Sequence, residues 1–248
     1  MGDVLGWRRK FGVLGPSTNT VVQPDFDDLR VAGVTNHYSR IIVEDAQALS
    51  DESFMAGTLK IDQATHEAVR GVMTCRPDFL VMGMSAVTFY GGAEGSAKWS
   101  KAVEDVAGVP LCTGAQSLIA AFKAYGGIRK VAVLSPYYPV ANAEVANFMS
   151  DHGVTVVRDT PLRCPSWTAI AEVRPARLRD TVLALDGDDV DAIVQVGTNL
   201  SMVRFAAAAE LFLGKPVIAI NTATYWNALR INGITDRKEG FGRLMAEF

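Results

Sequence analysis

Short apolar runs alternate along this chain with longer stretches whose apolar residues recur at helical spacing. The runs are Phe11–Leu14, Val34–Val43, Asp78–Met82, Pro110–Thr113, Val131–Leu134, Val154–Arg158, Ala192–Val196 and Pro216–Ile220. Strands covered by helices on both sheet faces are written as such near-continuous apolar runs. The stretches between them predict helices over Asp51–Cys75, Ala97–Val106, Gln116–Tyr125, Ala141–His152, Thr168–Leu185, Ser201–Leu213 and Ala223–Ile231. Strand and helix in turn predict parallel βαβ units, and hence an α/β fold.

The pattern occurs twice. Phe11-Gly12-Val13-Leu14-Gly15-Pro16 reads like Val131-Ala132-Val133-Leu134-Ser135-Pro136. Asp78-Phe79-Leu80-Val81-Met82-Gly83 reads like Asp191-Ala192-Ile193-Val194-Gln195-Val196-Gly197, with one residue inserted. Gly108-Val109-Pro110-Leu111 reads like Gly214-Lys215-Pro216-Val217, and Tyr125-Gly126-Gly127-Ile128 like Ile231-Asn232-Gly233-Ile234. Similar segments in the same order predict two parallel-sheet α/β halves related by pseudo-two-fold symmetry. The boundaries expected are 1–115 plus 222–248 for the first half and 116–221 for the second. Ligands of open parallel sheets bind beyond the carboxyl ends of the strands. Four strands end in small or polar loops, Gly15–Thr20, Gly83–Thr88, Ser135–Pro139 and Gly197–Ser201, which predicts one cleft between the halves.

Composition narrows the function. Hydrophobic residues make up 49% of the chain, enough for a large core, and the net charge is only −3. No basic excess is present to grip a phosphate backbone, so nucleic acid is not an expected partner. No apolar run approaches the roughly 18 residues of a membrane span, and Met1–Lys10 has no signal-peptide core. The expected location is the cytoplasm, with no membrane partner. Cys75, Cys112 and Cys164 are odd in number and widely spaced, so neither a disulfide framework nor a zinc site is expected. His66-Glu67 lacks the second histidine of a zincin helix, and no metal is expected.

The loops carry the candidate chemistry. Gly15–Thr20 offers hydroxyls, the Asn19 amide and backbone N–H groups before a helix, a setting for a carboxylate or for a helix cap alone. Gly83-Met84-Ser85-Ala86-Val87 resembles a nucleophile elbow that has lost its last glycine. No histidine follows His152, so a serine hydrolase is disfavoured and Ser85 is read as an oxyanion donor. Tyr137 sits at a strand end, either as a donor to a carboxylate or enolate oxygen or as a turn tyrosine. Thr198 and Asn199 occupy the symmetric loop as hydrogen-bond donors. Cys112 is expected as a core thiol, Cys75 as structural, and Cys164 as a weak nucleophile candidate. Trp167 is read as lining an apolar pocket, with core packing as the alternative, and pocket size is expected to depend on Met84, Trp167 and Ile170.

At these loops the sequence resembles the aspartate/glutamate racemase superfamily, and within it the maleate cis–trans isomerases and arylmalonate decarboxylase. Gly15-Pro16-Ser17-Thr18-Asn19-Thr20 and Val34-Thr35-Asn36-His37-Tyr38-Ser39-Arg40 look like isomerase segments. Met82–Tyr90 looks like the decarboxylase loop, with Ser85 at an oxyanion donor, and Ser135-Pro136-Tyr137 looks like the segment whose tyrosine faces a substrate carboxylate. The resemblance implies a racemase-like fold and no cofactor. It implies Ser85, Tyr137, Gly83 and Gly197 as the catalytic positions and Pro16, Ser17, Asn19, Met84, Ala86, Thr198, Asn199 and Trp167 as substrate-binding ones. Its partner would be a small carboxylic or dicarboxylic acid, and a homo-oligomer is compatible with it.

One departure from the pattern matters. The racemases and isomerases carry a cysteine at each of two symmetric loops, and the decarboxylase keeps only the second. Here both positions are glycine, Gly83 and Gly197. Two-base racemisation and covalent isomerisation need those thiols. The expectation is therefore a decarboxylase-like lyase working through an enediolate-like intermediate. The alternatives are an isomerase or racemase with other acids, and a carboxylate-binding relative without chemistry.

Overall fold

A computed structural model describes residues 3–45 and 50–248; Met1 and Gly2 of the N-terminal stretch lie outside the described residues. Eight strands form two four-stranded parallel sheets among these residues. The first holds β1 (Arg9–Pro16), β2 (Val34–Ile41), β3 (Phe79–Met82) and β4 (Leu111–Cys112) in the order β2-β1-β3-β4. The second holds β5 (Lys130–Ser135), β6 (Thr155–Pro161), β7 (Ala192–Gln195) and β8 (Val217–Ala219) in the order β6-β5-β7-β8. The two orders are the same, as the repeated sequence segments require. The inner strands β3 and β7 are buried along their whole length, whereas the edge strand β6 alternates exposed and half-buried residues. That contrast follows from helices covering both faces at the centre.

The helices are α1 (Val22–Leu29), α2 (Asp51–Met73), α3 (Gly92–Ala107), α4 (Gly114–Ala124), α5 (Pro139–Asp151), α6 (Pro175–Leu185), α7 (Val203–Leu213), α8 (Ile220–Ile231) and α9 (Arg243–Glu247). Short 3-10 turns cover Ala86–Phe89 and Ala169–Glu172. All eight apolar runs are strands, with shifted ends. The single helix predicted over Thr168–Leu185 is instead a 3-10 turn and then α6, because Pro175 cannot continue a helix and serves as the first residue of the next. A helix was expected after the Gly15–Thr20 loop without bounds, and α1 is that helix. It buries Val22, Phe26 and Leu29 on one face, and Pro24 is tolerated because the N–H groups of a first turn have no intrahelical acceptor.

Two helices position the site. The side chain of Ser50 accepts from Ser53 N in a capping box that starts α2, which packs on β1, β2, α3 and α5. Its buried face presents Phe54, Gly57, Thr58 and Ile61. Helix α8 leaves β8 directly and is buried from Ile220 to Leu229. It packs on α4 and α1, next to the first sheet, and on α9.

Candidate active site

The loops after β1, β3, β5 and β7 meet between the two sheets. Their polar side chains bond across the gap rather than standing free. Asn19 Nδ2–H donates to Thr198 Oγ1 at 3.0 Å, and the Thr198 hydroxyl donates to the Gly83 carbonyl at 2.9 Å. Thr20 N–H donates to Asn199 Oδ1 at 3.0 Å, and Asn199 Nδ2–H to the Trp167 carbonyl at 2.8 Å. Asn19 Oδ1 also accepts from the N–H groups of Val21 and Val22, at 3.0 and 2.9 Å, and so caps α1. Ser85 Oγ and Tyr137 OH share a hydrogen bond of 2.7 Å, and Gly197 N–H donates to the same Ser85 Oγ at 3.1 Å.

These residues enclose a cavity of about 50 Å³. Pro16, Asn19, Met84, Ser85, Ala86, Tyr137, Trp167, Gly197, Thr198 and Asn199, all singled out in the sequence, line it. Ser17 and Gly83 do not. The Ser17 hydroxyl turns away to the backbone of Val43. Gly83 faces the Leu14 carbonyl, 2.9 Å from where a Cβ would stand, and Val22. Thr18 and Ile170 complete the loop contribution, and Thr58 and Ile61 come from α2. The last two were missed because nothing in a helix's own pattern tells which neighbour its buried face meets.

Among the described residues the lining carries no Lys, Arg, His, Asp, Glu or Cys. Its one ionisable side chain is Tyr137, which burial holds as the neutral phenol by raising its pKa well above the usual tyrosine value. Cys112 is buried beside Ser117 and Asn227, and Cys164 is buried too; loss of hydration pushes each thiol up to about 11. Cys75 is exposed at the end of α2. Among the described residues no group of three His, Cys, Asp or Glu is placed to hold a metal ion, and no helix is long and apolar enough to cross a membrane.

Donors are present without a cation. Tyr137 lines the cavity with its hydroxyl bonded to Ser85 Oγ, and the backbone N–H groups of Ser85, Thr198 and Asn199 have no acceptor among the described residues. The lining also includes Pro16, Ile61, Met84, Trp167 and Ile170, which offer mostly carbon. Such a mixed lining, N–H donors among apolar side chains, suits an oxyanion.

Gly197 is the unusual backbone position. Its φ of +99° lies where residues with a side chain are strained, and a Cβ would fall 2.4 Å from Pro136 Cδ and 2.5 Å from Cγ. The absence of a thiol here is therefore built into the backbone as well as the residue type.

The arylmalonate decarboxylase family model matches residues 43–245. Arylmalonate decarboxylase of Bordetella bronchiseptica is 29% identical over 170 residues, 67% of this chain and 70% of that protein. A maleate isomerase of Alcaligenes faecalis is 23% identical over 139 residues, 56% of this chain and 54% of the relative. Among solved structures, Nocardia farcinica maleate cis–trans isomerase with a covalently bound succinylcysteine intermediate superposes with a TM-score of 0.86. It is 20% identical, and the match covers 97% of this chain and 99% of that one. A liganded arylmalonate decarboxylase variant superposes with a TM-score of 0.82 at 22% identity, covering 96% and 99%.

Proposed function

From the premise that this chain belongs to the arylmalonate decarboxylase family, we propose that it is a cofactor-independent lyase. It releases carbon dioxide from a small malonate-type acid through an enediolate-like intermediate. The observation that carries the reading is the Ser85–Tyr137 hydrogen bond of 2.7 Å at the wall of a cavity lined by neither thiol nor cation.

One carboxylate of the acid lies against the N–H groups of Ser85, Thr198 and Asn199 and the Tyr137 hydroxyl. The other lies against Pro16, Ile61, Met84 and Ile170. A carboxylate held in apolar surroundings without a partner costs several kcal/mol (~3 or more), and losing its charge as neutral carbon dioxide relieves that cost. The carbon–carbon bond breaks, and its electron pair stays with the α-carbon and the remaining carboxylate as the enediolate. Each donor facing that oxyanion contributes about 3–4 kcal/mol to the barrier reduction. The α-carbon then takes the phenol proton of Tyr137, and water returns a proton to the phenolate. Ser85 accepts from Gly197 N–H, so its own hydroxyl proton is free to stabilise that phenolate.

A second reading is a carboxylate-binding relative without chemistry. It is favoured by the spent side chains of Asn19, Thr198 and Asn199, which bond to protein groups and not to the cavity. Carbon dioxide release across a panel of substituted malonates separates the two. Turnover is expected in the parent protein, with at least a hundredfold loss in Tyr137→Phe and in Ser85→Ala. Saturable binding with no product from any malonate would reject the lyase and leave the binding protein. Turnover unchanged in Tyr137→Phe would remove the phenol as acid.

A further inference from the structure

The loop after β7 is held from behind by two amide side chains. Gln195, the last residue of β7, turns its Nε2–H groups onto its own chain. They donate to the Val196 carbonyl at 2.7 Å and the Gly197 carbonyl at 2.8 Å. Asn221, in the first turn of α8, donates from Nδ2–H to the Thr198 carbonyl at 2.9 Å and to Asp25 Oδ2 at 2.8 Å. Both side chains are buried, and neither lines the cavity. Three successive carbonyls of the loop are therefore taken by amide hydrogens on the side away from the site.

That decides where the N–H groups point. A peptide unit is planar, and in the trans form its C=O and N–H face opposite ways. None of the described peptide bonds is cis. Fixing the carbonyl of one residue fixes the N–H of the next. The Val196 carbonyl sets Gly197 N–H, which donates to Ser85 Oγ at 3.1 Å. The Gly197 carbonyl sets Thr198 N–H, and the Thr198 carbonyl sets Asn199 N–H. These last two N–H groups have no acceptor among the described residues.

The holds differ in redundancy. The Gly197 carbonyl also accepts from Leu200 N–H at 3.1 Å, so Gln195 is not its sole anchor. The Thr198 carbonyl has Asn221 as its one partner among the described residues. A backbone carbonyl can only accept, so the Asn221 amide cannot be turned end for end and still hold it. In this orientation Asn221 Oδ1 is buried without a partner among the described residues, a costly state that an apolar side chain would avoid. What the amide supplies here is its pair of donors. We infer that Asn221 is a positioning residue: by holding the Thr198 carbonyl it aims Asn199 N–H at a substrate oxyanion. This rests on the reading of the loop N–H groups as oxyanion donors, and it adds a residue outside the cavity wall to the machinery.

Proton–nitrogen correlation spectra of the full chain, titrated with acetate as the oxyanion probe, test it. In the parent, acetate is expected to move the Thr198 and Asn199 amide protons downfield together. In Asn221→Leu the Asn199 shift should be lost and the Thr198 shift kept, with acetate bound about tenfold more weakly, the worth of one hydrogen bond to a charged group. Asn221→Ala removes the same donor without needing room for a larger side chain. It covers the case in which leucine prevents folding and should give the same split. Gly108→Ala strains the chain just before β4, at the amino end of that strand, and should leave both shifts as in the parent. An Asn199 shift unchanged in both Asn221 variants, loss of both shifts together, or no shift of either amide in the parent would overturn the proposal. Carbon dioxide release from the malonate panel separates this role from the reaction proposed above. The expected split without release rejects the lyase and leaves Asn221 in its role. Release with an unchanged kcat in both Asn221 variants rejects the role and leaves the lyase.

Discussion

Gly197→Ala is the sharpest perturbation the site offers, because it adds one carbon at a position with two separable objections to it. The first is backbone: φ of +99° costs a residue with a Cβ about 1–3 kcal/mol. The second is contact: the new carbon would stand 2.4 and 2.5 Å from the Pro136 ring, whose displacement costs about 1–3 kcal/mol as overpacking. Together they come to about 4 kcal/mol, which for a chain of this size is a fall in Tm of roughly 8–16 °C. Gly108→Ala isolates the first objection. Gly108 also has a left-handed φ, +71°, but nothing lies within 4 Å of its missing Cβ. Thermal unfolding followed by circular dichroism should therefore show Gly108→Ala falling by only part of the Gly197→Ala amount. Combining Gly197→Ala with Pro136→Ala should return the contact part, as coupling expected between touching residues. If Gly197→Ala melts within a degree or two of Gly108→Ala, the Pro136 ring gives way freely and the steric argument fails. The same reasoning covers Gly197→Cys: putting a thiol at this position without moving Pro136 should destabilise the fold by at least as much as alanine.

Other expectations follow from the buried polar groups. Burial pushes the Asp25 carboxyl up to about 6, so its contribution to stability is present below about pH 4 and lost as pH rises through about 6. Its oxygen accepts from Asn221 Nδ2–H at 2.8 Å while Asn221 Oδ1 is buried without a partner among the described residues, so Asp25→Asn removes the charge and adds a donor beside that oxygen. Urea unfolding should find Asp25→Asn more stable than the parent by about 1–2 kcal/mol at pH 7.5, a gap that closes by pH 4; a gap constant with pH would refute it. Asn19→Ala removes the α1 cap and the bond to Thr198, and should cost about 2–4 kcal/mol in chemical denaturation. Thr198→Val should couple to it in a double-mutant cycle, and strict additivity would mean that the bond between them carries no stability.

The fold was legible because each half writes its own strands. Phe79–Met82 and Ala192–Gln195 are apolar without interruption, and their burial on both faces leaves no other solution. The loops were legible for the complementary reason, since small and polar residues directly after such runs can only sit at a sheet end. The bounds of helix α1 escaped because Pro24 and three aspartates mask a stripe of only three buried residues, and its start depends on bonds from Asn19. Thr58 and Ile61 escaped because α2 reaches the cavity by tertiary packing. Gly83 and Ser17 were read as site residues from their loops, but their direction depends on Leu14, Val22 and Val43.

The cross-gap bonds explain why the two glycine positions are not equivalent. Gly83 gives its carbonyl to Thr198, and Gly197 gives its N–H to Ser85, so each half holds the other through the backbone of a glycine loop. At Gly83 a Cβ would meet the Leu14 carbonyl and Val22, on the side away from the cavity. At Gly197 the space a side chain would need is filled by the Pro136 ring, and Tyr137 follows Pro136 in the chain. A side chain at 197 thus competes for volume with the Pro136 ring, while Tyr137 Cε1 stands off at 3.6 Å, an ordinary contact. On the proposed reaction the proton donor is the neutral phenol of Tyr137, which follows Pro136 on the loop after β5. The bond from Gly197 N–H to Ser85 then ties the loop after β7 to the hydroxyl that partners that phenol.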